Sequence, residues 1–207
     1  MGFNALPSPE RLKRTINAVK ERGINVTLVE TKVSALALVK SLIPAHASLM
    51  TGASVSLQQI GFEALLKSGD HPWKNLKAEI VAETDLTRQA VMRKQATLAD
   101  FFLGSVHAIA ETGEIVIASA TGSQLPAYAY SSSNIIWVAG AQKITPTLES
   151  ALQRMRTYVR PLEDQRLKQV YGEKAQAIIG KILIFEQESP YLHRTINLIL
   201  VNEELGF

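Results

Sequence analysis

The sequence predicts an α/β protein: a three-layer α/β/α arrangement on an open, mostly parallel sheet. Three observations predict it. Helical and strand-like patterns alternate along the 207 residues. The strand-like runs are short and apolar, as strands covered on both faces are. The composition, 46% hydrophobic and 20% charged, belongs to an ordinary globular chain, long enough to bury a core without staples. No internal repeat or low-complexity segment breaks the pattern. The expected organisation is one α/β domain over 1–207, with an N-terminal helical lead and a C-terminal helix–strand addition.

Each element has a local reason. Ser8 can cap a helix opened by Pro9, whose missing N–H would be unpaired there anyway. Leu12, Ile16 and Val19 follow helical spacing, and Gly23 supplies the stop. Ile24, Val26 and Leu28 alternate as in a strand. Thr31 caps the next helix, with Val33, Leu36 and Leu42 on its apolar side and Pro44 beyond its end. Ala47–Met50 reads as a short buried strand. Ser54 caps a helix carrying Leu57, Ile60 and Leu65 and ending near Gly69. Residues 70–83 show no clear period. Thr84 or Asp85 caps another helix, running to about Thr97. Strand-like runs follow at 100–103, 106–110 and 114–119, then Ile135–Val138. Thr145-Pro146 opens a helix with Leu148, Leu152 and Met155 in register, and Pro161 opens another that stops at Gly172. Ile178–Phe185 and Ile196–Val201 close the chain, with an antiparallel pairing expected between them.

Composition excludes several functions. There is no cysteine, hence no disulfide, no thiolate catalysis and no iron–sulfur cluster held by this chain's own thiolates. The four histidines, His46, His71, His107 and His193, lack metal-ligand spacing, so no metal is expected. The net charge is only +3, and Lys143–Lys174 holds seven basic and four acidic residues. That is a solvated helix surface rather than a nucleic-acid stripe with interleaved aromatics. The start MGFNALPSPE has no basic–apolar leader, and Leu6 stands where myristoylation favours a hydroxyl. No apolar run reaches the roughly 20 residues of a membrane span. A soluble, cytoplasmic protein without nucleic-acid or membrane partners is expected.

In open parallel sheets, ligands bind beyond the carboxyl ends of strands. Four segments there carry chemistry. Thr51, Gly52 and Ser54 lie between a strand and a helix, where small residues and free N–H groups suit an anion. The same loop is an incomplete nucleophile elbow, since Ser56 replaces its last glycine. Plain helix capping by Ser54 is the simpler alternative. Glu111-Thr112-Gly113 lies in a turn between two apolar runs. Glu111 is either an acid, base or nucleophile there, or part of a polar strand connection. Thr121-Gly122-Ser123-Gln124 offers hydroxyl, amide and backbone donors, or merely a cap. Lys143, closing Gly140-Ala141-Gln142-Lys143, supplies positive charge to a ligand or to solvent. All eleven residues are expected in one cleft, holding a small anionic ligand.

Several of these segments carry a family resemblance. Ala110-Glu111-Thr112-Gly113, Thr121-Gly122-Ser123-Gln124-Leu125-Pro126 and Gly140-Ala141-Gln142-Lys143-Ile144 resemble the lactate-utilisation (LUD) domain family. Tyr158-Val159-Arg160-Pro161-Leu162-Glu163-Asp164 and Leu200-Val201-Asn202-Glu203-Glu204-Leu205-Gly206-Phe207 resemble its lactate utilisation protein C-like branch. The resemblance covers most of the chain. It implies a fold like ribose-5-phosphate isomerase and the CoA transferases. It also implies a role in lactate or organic-acid utilisation, as a subunit or accessory protein of an iron–sulfur oxidation system. With no cysteine here, such a cluster sits on partner subunits. Glu111 before Gly113 loosely resembles the attacking glutamate of the CoA transferases of this fold, although the surrounding pattern differs. The alternative is a stand-alone acyl-CoA or sugar-phosphate transferase or isomerase. A homo-oligomer, paired through open edges of the two last strands, is also expected.

Overall fold

In the computed structural model, which describes residues 2–207, the chain builds two sheets. The first has six strands: β1 (Asn25–Val29), β2 (Ser48–Thr51), β3 (Lys74–Asn75), β4 (Phe101–Gly104), β7 (Asn134–Gly140) and β10 (Thr195–Val201). Their order is β1-β10-β7-β4-β2-β3, and every neighbouring pair is parallel. The second sheet runs β8 (Ile144–Thr145), β5 (Ala108–Ala110), β6 (Ile115–Ser119), β9 (Lys181–Phe185). The expected α/β class, a mostly parallel sheet flanked by helices, is what forms.

Strand residues alternate between two cores, as successive Cβ atoms point to opposite faces. Phe102, Ile135, Trp137, Leu198 and Leu200 enter one, with Leu12 and Val19 of helix α1 (Pro9–Glu21). Leu103, Ile136, Val138, Ile199 and Val201 enter the other, with Ala35 and Val39 of α2 (Lys32–Leu42). Leu57 of α3 (Val55–Gln59) and Phe62 of α4 (Phe62–Ser68) join the same core. The first core also takes Ile109, Ile115, Ile117 and Phe185 from the second sheet. The second sheet's other face sends Ala108 and Val116 against Ala151 of α7 (Leu148–Arg154) and Met155. Two short helices, α5 (Leu76–Ala82) and α6 (Leu86–Gln95), link β3 to β4. No helix among the described residues is long and apolar enough to cross a membrane.

Caps fall close to where local chemistry places them. Ser8, Thr31 and Ser54 each accept an amide three residues on, and Asp85 rather than Thr84 caps α6. Thr147 caps α7, two residues beyond Thr145. The helix expected from Ser54 to Gly69 is two, because Gly61 turns left-handed between α3 and α4. Conversely, the two helices expected after Thr145 run on continuously. A π-turn, Met155–Val159, joins α7 to α8 (Arg160–Tyr171) just before Pro161. Pro161 cannot donate to the preceding turn, so the ladder widens there.

One pairing left open by the sequence is now defined, and one expectation on strand pairing is corrected. The runs at 106–110 and 114–119 are a hairpin of the second sheet, antiparallel and closed by the Ala110 N–H to Glu114 O bond. The last two strands do not pair with each other. β9 runs antiparallel to β6, whereas β10 is inserted parallel between β1 and β7. β10 therefore has no open edge; β9 keeps one.

Tight packing above β4 makes a stability prediction. A Cβ on Gly104 would lie 1.8 Å from the Tyr128 hydroxyl oxygen. Tyr128 cannot retreat, since its ring is wedged edge-on against Phe102 and Trp137 at 5.4 and 5.6 Å. Gly104→Ala should cost about 1–3 kcal/mol by overpacking, read as a lower urea midpoint at unchanged slope. An unchanged midpoint would show that the Tyr128 wedge is not tight.

Candidate functional site

Parallel strands bring their carboxyl ends to one edge, and the loops leaving that edge enclose a cavity of about 540 Å³. After β2 come Gly52, Ala53 and Ser54; after β4, Ser105, Val106 and His107; after β7, Lys143; after β10, Gly206 and Phe207. The second sheet contributes Ala120, Thr121, Ser123 and Gln124 after β6. Arg160, Glu163 and Arg166 of α8 border the opposite side.

Lys143 dominates the site. A single 3₁₀ turn after β7 folds it inward, and only 2% of the residue is exposed. Its Nζ contacts Ser105 Oγ at 3.1 Å, the Val106 carbonyl oxygen at 3.1 Å and Ser56 Oγ at 3.3 Å. The two serine hydroxyls touch each other at 3.1 Å. No carboxylate pairs with Lys143 among the described residues. Burial, and secondarily the Arg154 charge, bring its ammonium down to about 7 from 10.5.

The surroundings hold this lysine in place. Gln142 Nε2 donates to the carbonyls of Leu205 (3.0 Å) and Gly206 (3.3 Å), drawing the segment after β10 over the site. Gly206 fits where a side chain does not: its φ is 63°, and a Cβ there would meet Ser56 Oγ at 2.5 Å and Lys143 Nζ at 3.2 Å. His107 accepts the Ala118 amide at Nδ1, 3.1 Å away, so the proton of its neutral ring sits on Nε2. Burial first, then Lys143 and Arg154, push this imidazole down to about 3. Arg154, fully buried, donates from Nη1 to the His107 carbonyl at 2.6 Å, and its Nη2 has no partner among the described residues. Glu63 and Glu163 stand on the cavity wall and Glu204 acts on Arg154, but none pairs with Lys143 among the described residues.

The sequence-derived candidates divide into two groups. Gly52, Ser54, Thr121, Ser123, Gln124 and Lys143 line the cavity. Ser54 also caps α3. Thr51 lies just behind in β2, its buried Oγ1 without a partner among the described residues, and Gly122 stands over Lys181 in the Thr121–Gln124 turn. Glu111, Thr112 and Gly113 do not join them, which corrects the single-cleft expectation. They form the β5–β6 turn, where Gly113 lies against Ala18 of α1. Glu111 Oε1 takes Arg11 Nε at 2.6 Å and Oε2 takes Arg14 Nη2 at 3.1 Å. Partial burial raises this carboxyl, but the arginine bonds prevail and hold it below its usual range. Its geometry is that of a clamp fastening α1 to the second sheet.

Ser105 is the side chain that the sequence reading missed here, and Ser56 and His107, though they lie in the candidate segments, are not among the expected site residues. Ser105 sits directly after an apolar strand run, so the strand-end rule that points to Thr51 and Lys143 would find it too, whereas His107 falls inside the run read at 106–110. Ser56 enters the sequence reading only as the residue that replaces the last glycine of the elbow pattern.

With this geometry in hand, likeness to known proteins can be stated. The sequence model of the LUD domain matches residues 12–175. A crystal structure described as a duf162 family protein from Deinococcus radiodurans superposes with a TM-score of 0.50 at 14% identity. The superposition covers 95% of this chain and 98% of that one, a likeness of fold. No curated protein sequence matches the chain.

The buried lysine makes stability depend on pH. Between about 7 and 10.5 the unfolded chain keeps the Lys143 proton while the folded chain has lost it. The unfolded state then binds more protons, so this contribution rises with pH across that window and is lost as pH falls through about 7. Denaturant titrations should show wild type gaining stability relative to Lys143→Met between these limits. A constant difference would mean Lys143 titrates as in water.

Proposed function

We infer, for a chain that belongs to the LUD domain family, that this protein binds a small anionic ligand in organic-acid utilisation. Lactate or a related 2-hydroxy acid is the substrate class intended, with the chain acting as a subunit or accessory protein of an iron–sulfur oxidation system. Family membership supports the metabolic part. The absence of cysteine supports a division of labour in which partner subunits carry the clusters.

One observation carries the ligand reading: Lys143 is almost fully buried at a cavity wall without an acidic partner. A buried cation is strongly disfavoured until an anion or hydrogen-bonding group offsets its lost hydration. Here the protein supplies two hydroxyls and one carbonyl but no negative charge. A carboxylate entering the cavity would supply it and would raise the Lys143 pKa. Arg160 adds a second cation at the rim, whereas Arg166 is already engaged by Glu163 at 2.6 Å. Ser54, Thr121, Ser123 and Gln124 offer neutral donors for a hydroxyl or second oxygen. Glu111 lies outside this arrangement, so the transferase-like alternative based on it loses its residue.

Calorimetry with lactate, pyruvate and inorganic phosphate tests this reading. Binding should weaken as pH rises above about 7, because the free protein loses the ammonium there. A charged hydrogen bond contributes roughly 1.5–3 kcal/mol, so Lys143→Met should weaken binding about ten- to a hundredfold. Affinity unchanged by the substitution would place the anion elsewhere. Undiminished growth on lactate after deletion of the gene would contradict the metabolic assignment.

A further inference from the structure

We propose that Ser105 and Lys143 form a nucleophile–base pair that takes up the acyl group of a small ester, giving this cavity serine–lysine esterase activity. The proposal goes beyond the anion reading and does not rest on it. Geometry carries it. The Lys143 Nζ to Ser105 Oγ separation, 3.1 Å, is within reach for proton transfer. It is also shorter than the 3.4 Å from Ser105 Oγ to the Val106 carbonyl. Ser105 is half-buried and lines the cavity, whereas Ser56 is only 1% exposed behind it. Ser105 is therefore the hydroxyl a substrate can meet.

The three oxygens around Nζ match the three protons of an ammonium and can also accommodate a neutral amine. An amine has two protons and one lone pair. Nζ has three polar neighbours: the Val106 carbonyl can only accept, and a serine hydroxyl can accept or donate. Protonated, Nζ donates to all three oxygens; once it loses a proton, the remaining two go to Val106 O and Ser56 Oγ and the lone pair can receive the Ser105 hydroxyl. Ser56 can pass its own proton to the Leu205 carbonyl at 3.5 Å. Burial without an acid at Lys143 favours this uncharged form once pH exceeds about 7, within the working range of a general base.

The chemistry balances within the site. Ser105 Oγ attacks the ester carbonyl carbon as its proton moves to Lys143 Nζ. The carbon–oxygen bond to the alcohol breaks, and that alcohol leaves with the proton from Nζ. A water molecule then gives its proton to Nζ and attacks the acyl-serine. The carboxylic acid leaves, and Ser105 recovers its proton from Nζ. Nothing is oxidised or reduced, and water is the only co-reactant.

Full-length protein treated with p-nitrophenyl acetate tests the proposal, following nitrophenol release and locating the acetyl group by peptide mass spectrometry. Acetylation should fall on Ser105, with a rate that rises with pH and levels off above about 7. Ser105→Ala, which removes one oxygen and adds no bulk, should abolish it. Lys143→Met should slow it at least about a hundredfold. Circular dichroism of each variant separates misfolding from lost reactivity. An unchanged rate of nitrophenol release in folded Ser105→Ala, acetyl groups found only on other residues in rapidly quenched samples, or no nitrophenol release by folded wild type above pH 7 beyond the buffer rate would each overturn the proposal. Lactate calorimetry on the same preparation reads the anion site separately, so either idea can fail alone.

Discussion

A parallel sheet must be covered on both faces, and this requirement organises the molecule. β7 and β10 show it most clearly. Ile135 and Trp137 face one core while Ile136 and Val138 face the other, and Leu198 and Ile199 divide in the same way. Helices α2, α3 and α4 cover one side. The other side is covered by α1 together with the second sheet, whose Ile109, Ile115 and Ile117 meet the first sheet directly. The same parallelism sends every strand's carboxyl end to one edge. Loops after β2, β4, β7 and β10 have nowhere else to go, and the cavity is the space they enclose.

Within that edge, electrostatics is unbalanced. Lys143 and Arg154 are both buried, and each is shifted down, to about 7 and about 10 respectively, chiefly by lost hydration. Two cations near one cavity cost stability that an all-apolar core would not lose, a pattern typical of sites kept for binding or chemistry. His107 stays neutral for the same reason. Depending on pH, the lysine offers either a charge for an anion or a lone pair for a hydroxyl. One residue thereby links the binding reading to the nucleophile reading without making either depend on the other.

Much of this was legible locally. Ser8, Thr31 and Ser54 announce their helices because a cap needs only the next few residues. The loops at Thr51, Thr121 and Lys143 were legible because they follow apolar strands. What escaped depends on distant partners. Nothing near Ile196 says that β10 will slot between β1 and β7, from far earlier in the chain. Nothing near Glu111 shows that Arg11 and Arg14, about a hundred residues away, will clamp it. The charge of Lys143 is visible in the sequence, but its burial is not: Ser56, Ser105 and Val106 close on Nζ and Gly206 lies beside it, from three distant parts of the chain.

Lys143 is buried with no carboxylate partner among the described residues, and so gives up its proton near neutrality. Nuclear magnetic resonance of ¹³C-lysine-labelled protein reads this directly. The Lys143 Cε resonance, assigned by its loss in Lys143→Met, reports the protonation of Nζ. The account predicts a titration midpoint at about 7; a midpoint near the 10.5 of a solvated lysine would contradict it.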